Sequence, residues 1–260
     1  MKKLSNLNAS LQDFYVVVPA RFASTRLPGK PLLDIAGKPM VVWVVERAMR
    51  SGAKQAVVAT DDVRIVNAVE SYGYTAIMTS IDHASGTDRI AEVARKQNWA
   101  DDAIVVNVQG DEPLIDPALI AEVASTLSHS KLAVMSTACH RIHDKVDFLN
   151  PNVVKLVLDA QLNALYFSRA PIPYPRDTFL NAELAKALPV YRHLGIYAYR
   201  VAFLKQYALL QPSLIEQVEC LEQLRVLHHG HKIAVLVSDN TPATGVDTQA
   251  DLDYVRSIMG

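Results

Sequence analysis

From Phe14 to Leu127 the chain alternates short apolar runs with amphipathic ones, and this rhythm constrains the fold more than any other feature. Strands are expected near 14–18, 56–60, 74–78 and 103–108, each brief and apolar, as strands buried on both faces should be. Between them, Met40, Val41, Val44, Val45 and Ala48 share one face of a helix that opens near Pro39. Leu119, Ile120, Val123, Ala124 and Leu127 repeat that spacing after Asp116-Pro117, a pair suited to an N-cap and first helical position. Such alternation implies right-handed βαβ units: an α/β class with a mostly parallel sheet flanked by helices. Half of the 260 residues are hydrophobic, enough for one sizeable core.

After residue 130 the rhythm changes. Leu132–Cys139, Val153–Leu158, Leu165–Arg169 and Val190–Tyr199 read as strands with no long helix between them, and a Pro-rich loop runs from Pro171 through Pro175. A smaller, mixed β lobe is expected here, inserted in or folded against the first sheet. Ser213 and Glu216 form a capping box for a helix through Leu227, Lys232–Val237 is a further strand, and Thr248 and Asp251 cap a final helix. We therefore divide a single domain, 14–260, into halves at 14–130 and 131–260, preceded by a loose extension over 1–13.

The loop after the first strand carries Arg21, Arg26 and Lys30 with no acidic neighbour inside the loop, and Gly29 where a backbone can approach a ligand closely. Forked and compact cations between a strand and a helix make an anion cradle, at the place where α/β sheets bind ligands. Neither a P-loop nor a G-x-G-x-x-G fingerprint is present. At the end of another strand stand Asp111 and Glu112, between Gly110 and Pro113. A carboxylate there suits Mg²⁺, which takes one or two protein oxygens and completes its shell with phosphates. Asp247 is the candidate partner for Asp111; its carboxylate can face either the helix start at Thr248 or the site. Asp61-Asp62 reads as an ordinary helix start. The loop Asp82–Arg89 can hold a flat base with its small residues or simply cap a helix, and Arg169 and Arg192–Tyr197 offer donors for an anionic, hydroxyl-rich ligand.

Nothing in the pattern points to covalent catalysis. No G-x-S-x-G elbow occurs, and Cys139 and Cys220 lie in apolar contexts that predict buried reduced thiols. His228, His229 and His231 read as a solvated helix end. With 26 basic and 27 acidic residues the net charge is −1, so no nucleic-acid footprint is expected. Ser5–Asp13 supplies no apolar signal segment and no run is long enough to span a bilayer. A cytoplasmic protein with no membrane insertion is expected.

The motifs also resemble a known family. Pro19-Ala20-Arg21 through Leu27-Pro28-Gly29-Lys30-Pro31 resembles the signature loop of sugar nucleotidyltransferases. With Ser85-Gly86-Thr87-Asp88-Arg89, Gln109–Pro113, Tyr166–Arg169, His193–Tyr197, Glu219–Arg225 and Gly245–Thr248, the whole is similar to the cytidylyltransferases of 3-deoxy-manno-octulosonate (Kdo). The resemblance covers roughly 14–258 and implies a Rossmann-like fold of the nucleotide-diphospho-sugar transferase type. It also implies an activity: CTP plus Kdo gives CMP-Kdo and pyrophosphate, for lipopolysaccharide biosynthesis. By that likeness Arg21, Lys30 and Asp111 are catalytic, and Ala20, Arg21, Arg26, Lys30, Ser85 and Gly86 surround the nucleotide. Arg89, Gln109, Arg169, His193, Tyr197, Glu219 and Gln223 surround the sugar, Asp111 and Asp247 hold Mg²⁺, and the assembly is a homodimer. Sialic acid and 8-amino-Kdo cytidylyltransferases are the neighbouring readings, and a non-catalytic nucleotide sensor is the reading from another class.

Overall fold

The computed structural model describes residues 12–23, 27–83, 85–176, 189–239 and 245–260. Its centre is a parallel trio: β1 (Phe14–Ala20) lies between β4 (Gln55–Thr60) and β6 (Ile104–Asn107), β5 (Thr75–Met78) extends the sheet beyond β4, and β2 (Asp34–Ile35) and β3 (Lys38–Pro39) pair apart from it. β1, β4, β5 and β6 are four of the strands expected from the apolar runs, with bounds shifted by two residues or fewer. On the far side of β6 come β10 (Tyr191–Arg200), β7 (Ala133–Arg141) and β11 (Lys232–Ser238). Of these, β10 runs antiparallel to both β6 and β7, while β7 and β11 pair parallel. The expected small β lobe takes the form of a hairpin, β8 (Lys155–Leu158) and β9 (Ala164–Ser168), hydrogen-bonded to the start of β10. One sheet therefore runs through both halves of the chain.

Alternating valines put apolar surface on both faces of that sheet. Val16 and Val18 face one side with the buried residues of α1 (Met40–Arg50), α2 (Val63–Ser71) and α4 (Pro117–His129). Val17, Val57 and Val105 face the other, against α3 (Gly86–Lys96) and the helices Val201–Tyr207 and Gln223–His228. Full burial of a valine or isoleucine contributes roughly 1.5–3 kcal/mol, so this two-sided packing dominates the stability. A third, small cluster has a functional consequence. Leu27 of the basic loop and Val246 pack together with Ile35, Met40, Leu252 and Val255, which ties that loop to the final helix, Gln249–Met259.

Two expectations need correction. The helix expected from Ser213 through Leu227 is two helices, Leu214–Glu219 and Gln223–His228, because Cys220 takes a left-handed φ of 52°. Glu219 is tied to the end of β9 and Leu221 turns into the core, so the chain has to change direction between them. That same turn points Cys220 outward, so it is exposed; only Cys139 is the buried thiol expected. Short helices at Lys145–Leu149 and Val201–Tyr207 were not legible. Residues 1–11 of the extension lie outside the described residues, as does Arg26.

Candidate functional site

The parallel strands end along one edge, and the loops that leave it are pressed together there. Gly110, just beyond β6, sits against β1: a Cβ on it would stand 2.7 Å from the Pro19 carbonyl oxygen and 3.5 Å from the Ala20 methyl. Ala20 thus acts as a buried wall beneath the Asp111 turn. From the opposite side, the Val246 N–H donates to the Asp111 carbonyl at 2.8 Å, fixing residues 245–247 beside it. These two backbone contacts bring the two carboxylates into range of one another.

Lys30 joins them. Gly29 takes a left-handed φ of 67° with the Phe22 ring beneath it, and Lys30–Leu32 then forms a single 3-10 turn. The Lys30 ammonium donates to Asp111 Oδ2 at 2.6 Å, to the Val246 carbonyl at 3.0 Å and to Asp247 Oδ1 at 3.1 Å. Burial works against its charge, but the hydrogen bonds and charges of Asp111 and then Asp247 outweigh burial and raise its pKa. Beside it, burial and then the Asp111 charge push the Glu112 carboxyl up to about 7. Arg21 points elsewhere: it is exposed, and its Nη2 donates to the His83 carbonyl at 2.7 Å, linking the basic loop to the turn before α3. Ser85 caps α3 in a reciprocal capping box with Asp88, and Gly86 is the first helical residue.

A cavity of about 400 Å³ opens between this edge and the helix pair at 214–228. Gln109, His193, Tyr197 and Gln223 of the expected sugar set line it, together with Gly86. Three remaining members are turned to other partners. Arg89 is fully buried, with its guanidinium on Asp61 Oδ2 at 2.8 Å and on the Thr79 hydroxyl. Arg169 donates through Nε to the Glu219 carbonyl at 2.7 Å and through Nη1 to the Pro151 carbonyl at 3.0 Å. Glu219 in turn accepts from the Ser168 hydroxyl and the Arg169 N–H at 2.6 and 2.9 Å. The cavity wall begins one residue later, at Cys220. Lys155, wholly buried, holds this corner by donating to the carbonyls of Asn150, Val153 and Arg169.

Residues 15–233 match the family profile described as cytidylyltransferase. The chain belongs to the cytidylyltransferase family. Among solved structures it is similar to a CMP:2-keto-3-deoxy-manno-octonic acid synthetase complexed with CTP, at 44% identity and a TM-score of 0.87, over 95% of this chain and 98% of that one. A cytidylyltransferase from Leptospira borgpetersenii serovar Hardjo-bovis (strain JB197) is 17% identical with a TM-score of 0.62, over 94% of this chain and 85% of that one, and shares the fold. This cytidylyltransferase is therefore a nucleotidyltransferase, with a mixed α/β sheet that matches its relatives' architecture.

Asn107 and Tyr207, which also form the cavity wall, were not among the residues expected from the sequence, whereas Gln223 was. Asn107 Oδ1, Gln223 Nε2 and the Tyr207 hydroxyl are buried without a hydrogen-bond partner, and all three residues line the cavity of this cytidylyltransferase. An unmet buried polar atom costs about 1–3 kcal/mol, so three of them in residues around one cavity are a costly concentration of unpaired polarity. Asn107 closes an apolar strand, which was its one available signal; Tyr207 lies on a helix that the apolar pattern did not reveal.

Proposed function

We propose that this cytidylyltransferase joins CTP and Kdo to give CMP-Kdo and pyrophosphate for lipopolysaccharide biosynthesis. One observation carries the reading: a lysine held by two carboxylates at the sheet edge, beside a cavity whose buried polar atoms lack partners. The similar CMP-Kdo synthetase, solved with CTP, supports the choice of substrates.

The chemistry needs no protein nucleophile. The anomeric hydroxyl of Kdo attacks the α-phosphorus of CTP, the bond to the bridging oxygen of the β-phosphate breaks, and pyrophosphate carries that electron pair away. The protein's part is positioning and neutralisation of charge. Lys30 serves the phosphates, Arg21 joins it by turning from the His83 carbonyl, and the cavity side chains Gln109, His193, Tyr197 and Gln223 orient the sugar. Among the described residues no group of three or more His, Cys, Asp or Glu is arranged to hold a metal. Asp111 and Asp247, converging on one ammonium, instead make the two-oxygen donor set that suits Mg²⁺ together with substrate phosphates. When bound, Mg²⁺ would neutralise phosphate charge and favour the ionised form of the attacking hydroxyl. The reading carries with it a cytoplasmic homodimer. No helix among the described residues is long and apolar enough to cross a membrane.

Pyrophosphate release with CTP, Mg²⁺ and a panel of 2-keto sugar acids tests the proposal. Release is expected with Kdo and should vanish in Asp111→Ala, which keeps its cooperative unfolding. Release from another sugar acid but not from Kdo refutes the substrate, and full activity in Asp111→Ala refutes the role of that carboxylate.

A further inference from the structure

Thr137 lies in β7, fully buried, opposite Tyr197 of β10. The register of the two strands slips here: Leu194 faces Ala138 and Tyr197 faces Thr137, so Gly195 and Ile196 bulge out of the ladder. A bulge takes backbone carbonyls away from their ladder partners, and those groups need others. The Thr137 hydroxyl serves two of them, 2.8 Å from the Ile196 carbonyl and 3.1 Å from the Leu194 carbonyl. The same oxygen stands 3.0 Å from Nε2 of His193, a residue on the cavity wall.

Counting hydrogens decides how that third contact works. Carbonyls only accept and the hydroxyl has a single hydrogen; a ring nitrogen can supply a hydrogen of its own where the two bulge carbonyls cannot, so pairing all three contacts sends the hydroxyl hydrogen to the bulge. It then meets the imidazole with a lone pair, an arrangement that pairs with a ring hydrogen on Nε2. Burial pushes the His193 pKa down to about 3, which keeps the ring neutral and leaves Nδ1 without a proton. Phe167, edge-on at 5.0 Å, and Tyr197 at 5.4 Å flank the ring.

We propose that Thr137 is a positioning residue that holds His193 as the Nε2–H tautomer, so that the cavity presents an acceptor at Nδ1. It follows that His193 recognises a hydroxyl of the substrate. A substrate carboxylate placed there would set lone pair against lone pair. The argument about the substrate rests on the cavity being the sugar-acid site; the tautomer does not.

Nitrogen-15 NMR of histidine-labelled wild-type protein above pH 7 reads the tautomer directly, with His193→Gln used to assign the signal. The Nε2–H pattern is expected, and an Nδ1–H pattern overturns the proposal. Thr137→Ser should keep the tautomer and the KM for Kdo. Thr137→Val should lose the tautomer preference and raise the KM for Kdo by about tenfold, while the KM for CTP stays unchanged. Equal effects of serine and valine, or a valine variant identical to wild type, would also overturn it. Should Thr137→Val fail to fold, the wild-type spectrum and the serine variant still decide. If Kdo is not turned over, the substrate assignment fails while the spectrum remains readable.

Discussion

Gly110→Ala tests whether the sheet edge sets the spacing of the catalytic groups. Gly110 has no left-handed φ, so only space is at issue. The new methyl would lie 2.7 Å from the Pro19 carbonyl oxygen, closer than real Cβ atoms stand to other heavy atoms. Pro19 cannot yield, because β1 is hydrogen-bonded between β4 and β6. The Gly110 turn must move instead and take Asp111 with it, away from the Val246 N–H and the Lys30 ammonium. Forced overpacking costs about 1–3 kcal/mol, which for a chain of this size lowers Tm by roughly 2–6 °C. A displacement approaching an ångström at the reacting groups costs on the order of 10²-fold in turnover. Thermal unfolding and pyrophosphate release at saturating CTP measure the two effects. Gly86→Ala is the control for stability: nothing lies within 4 Å of its added methyl, so its Tm should hold or rise slightly. A Gly110→Ala protein with unchanged Tm and turnover would refute the reasoning.

Arg89→Met should cost about 3–5 kcal/mol, because it strands the Asp61 carboxylate beside a buried gap; a variant of normal stability that lost only Kdo affinity would return Arg89 to the sugar site. His193 makes stability depend on pH. Its folded pKa of about 3 lies below the usual 6.5, so its contribution is complete above pH 6.5 and declines as pH falls toward 3, at up to about 1.4 kcal/mol per pH unit. His193→Gln should flatten the denaturant midpoint between pH 6.5 and 4.5, and an unchanged acid slope would contradict the burial of a neutral ring. Of the two thiols, Cys220 should react with an aromatic disulfide reagent in the folded protein, and Cys139, buried with its pKa raised to about 12, only after unfolding. Two fast-reacting thiols, or none, would contradict this.

The fold was legible where one local rule governs one element. Val16–Val18, Val57–Ala59 and Ile104–Val106 are apolar at every position because helices cover both faces of the sheet, and an uninterrupted run is how that burial looks in sequence. Asp116, Ser213 and Thr248 each cap the helix that follows, through contacts no more than three residues away, while α3 is capped by Ser85 and not by Thr87, the cap that the sequence suggested. The elements that escaped have other causes. Val201–Tyr207 is short and packs under the sheet with no polar stripe to show its period, and Cys220 breaks a helix because Glu219 is held by Ser168 and Arg169, some 50 residues earlier in the chain.

The candidate site divides along the same line. Lys30 and Asp111 could be singled out because a charge in a loop with no counter-charge, or at the end of an apolar strand, conflicts with its neighbours in sequence; Asp247, just before a helix cap, could be read either way. Their convergence on one ammonium depends on Gly110 packing against Pro19 and on Val246 hydrogen-bonding Asp111, contacts that no local pattern encodes. Arg89 shows the opposite case. Resemblance alone placed this arginine among the sugar contacts, whereas Asp61 and Thr79, 28 and 10 residues away, enclose its guanidinium. Asn107 is the subtler lesson: an amide at the end of a fully apolar strand has no reason to be buried unless something else will meet its oxygen. Composition cannot reveal that unmet bond; only the packing of the strand end beside the cavity does.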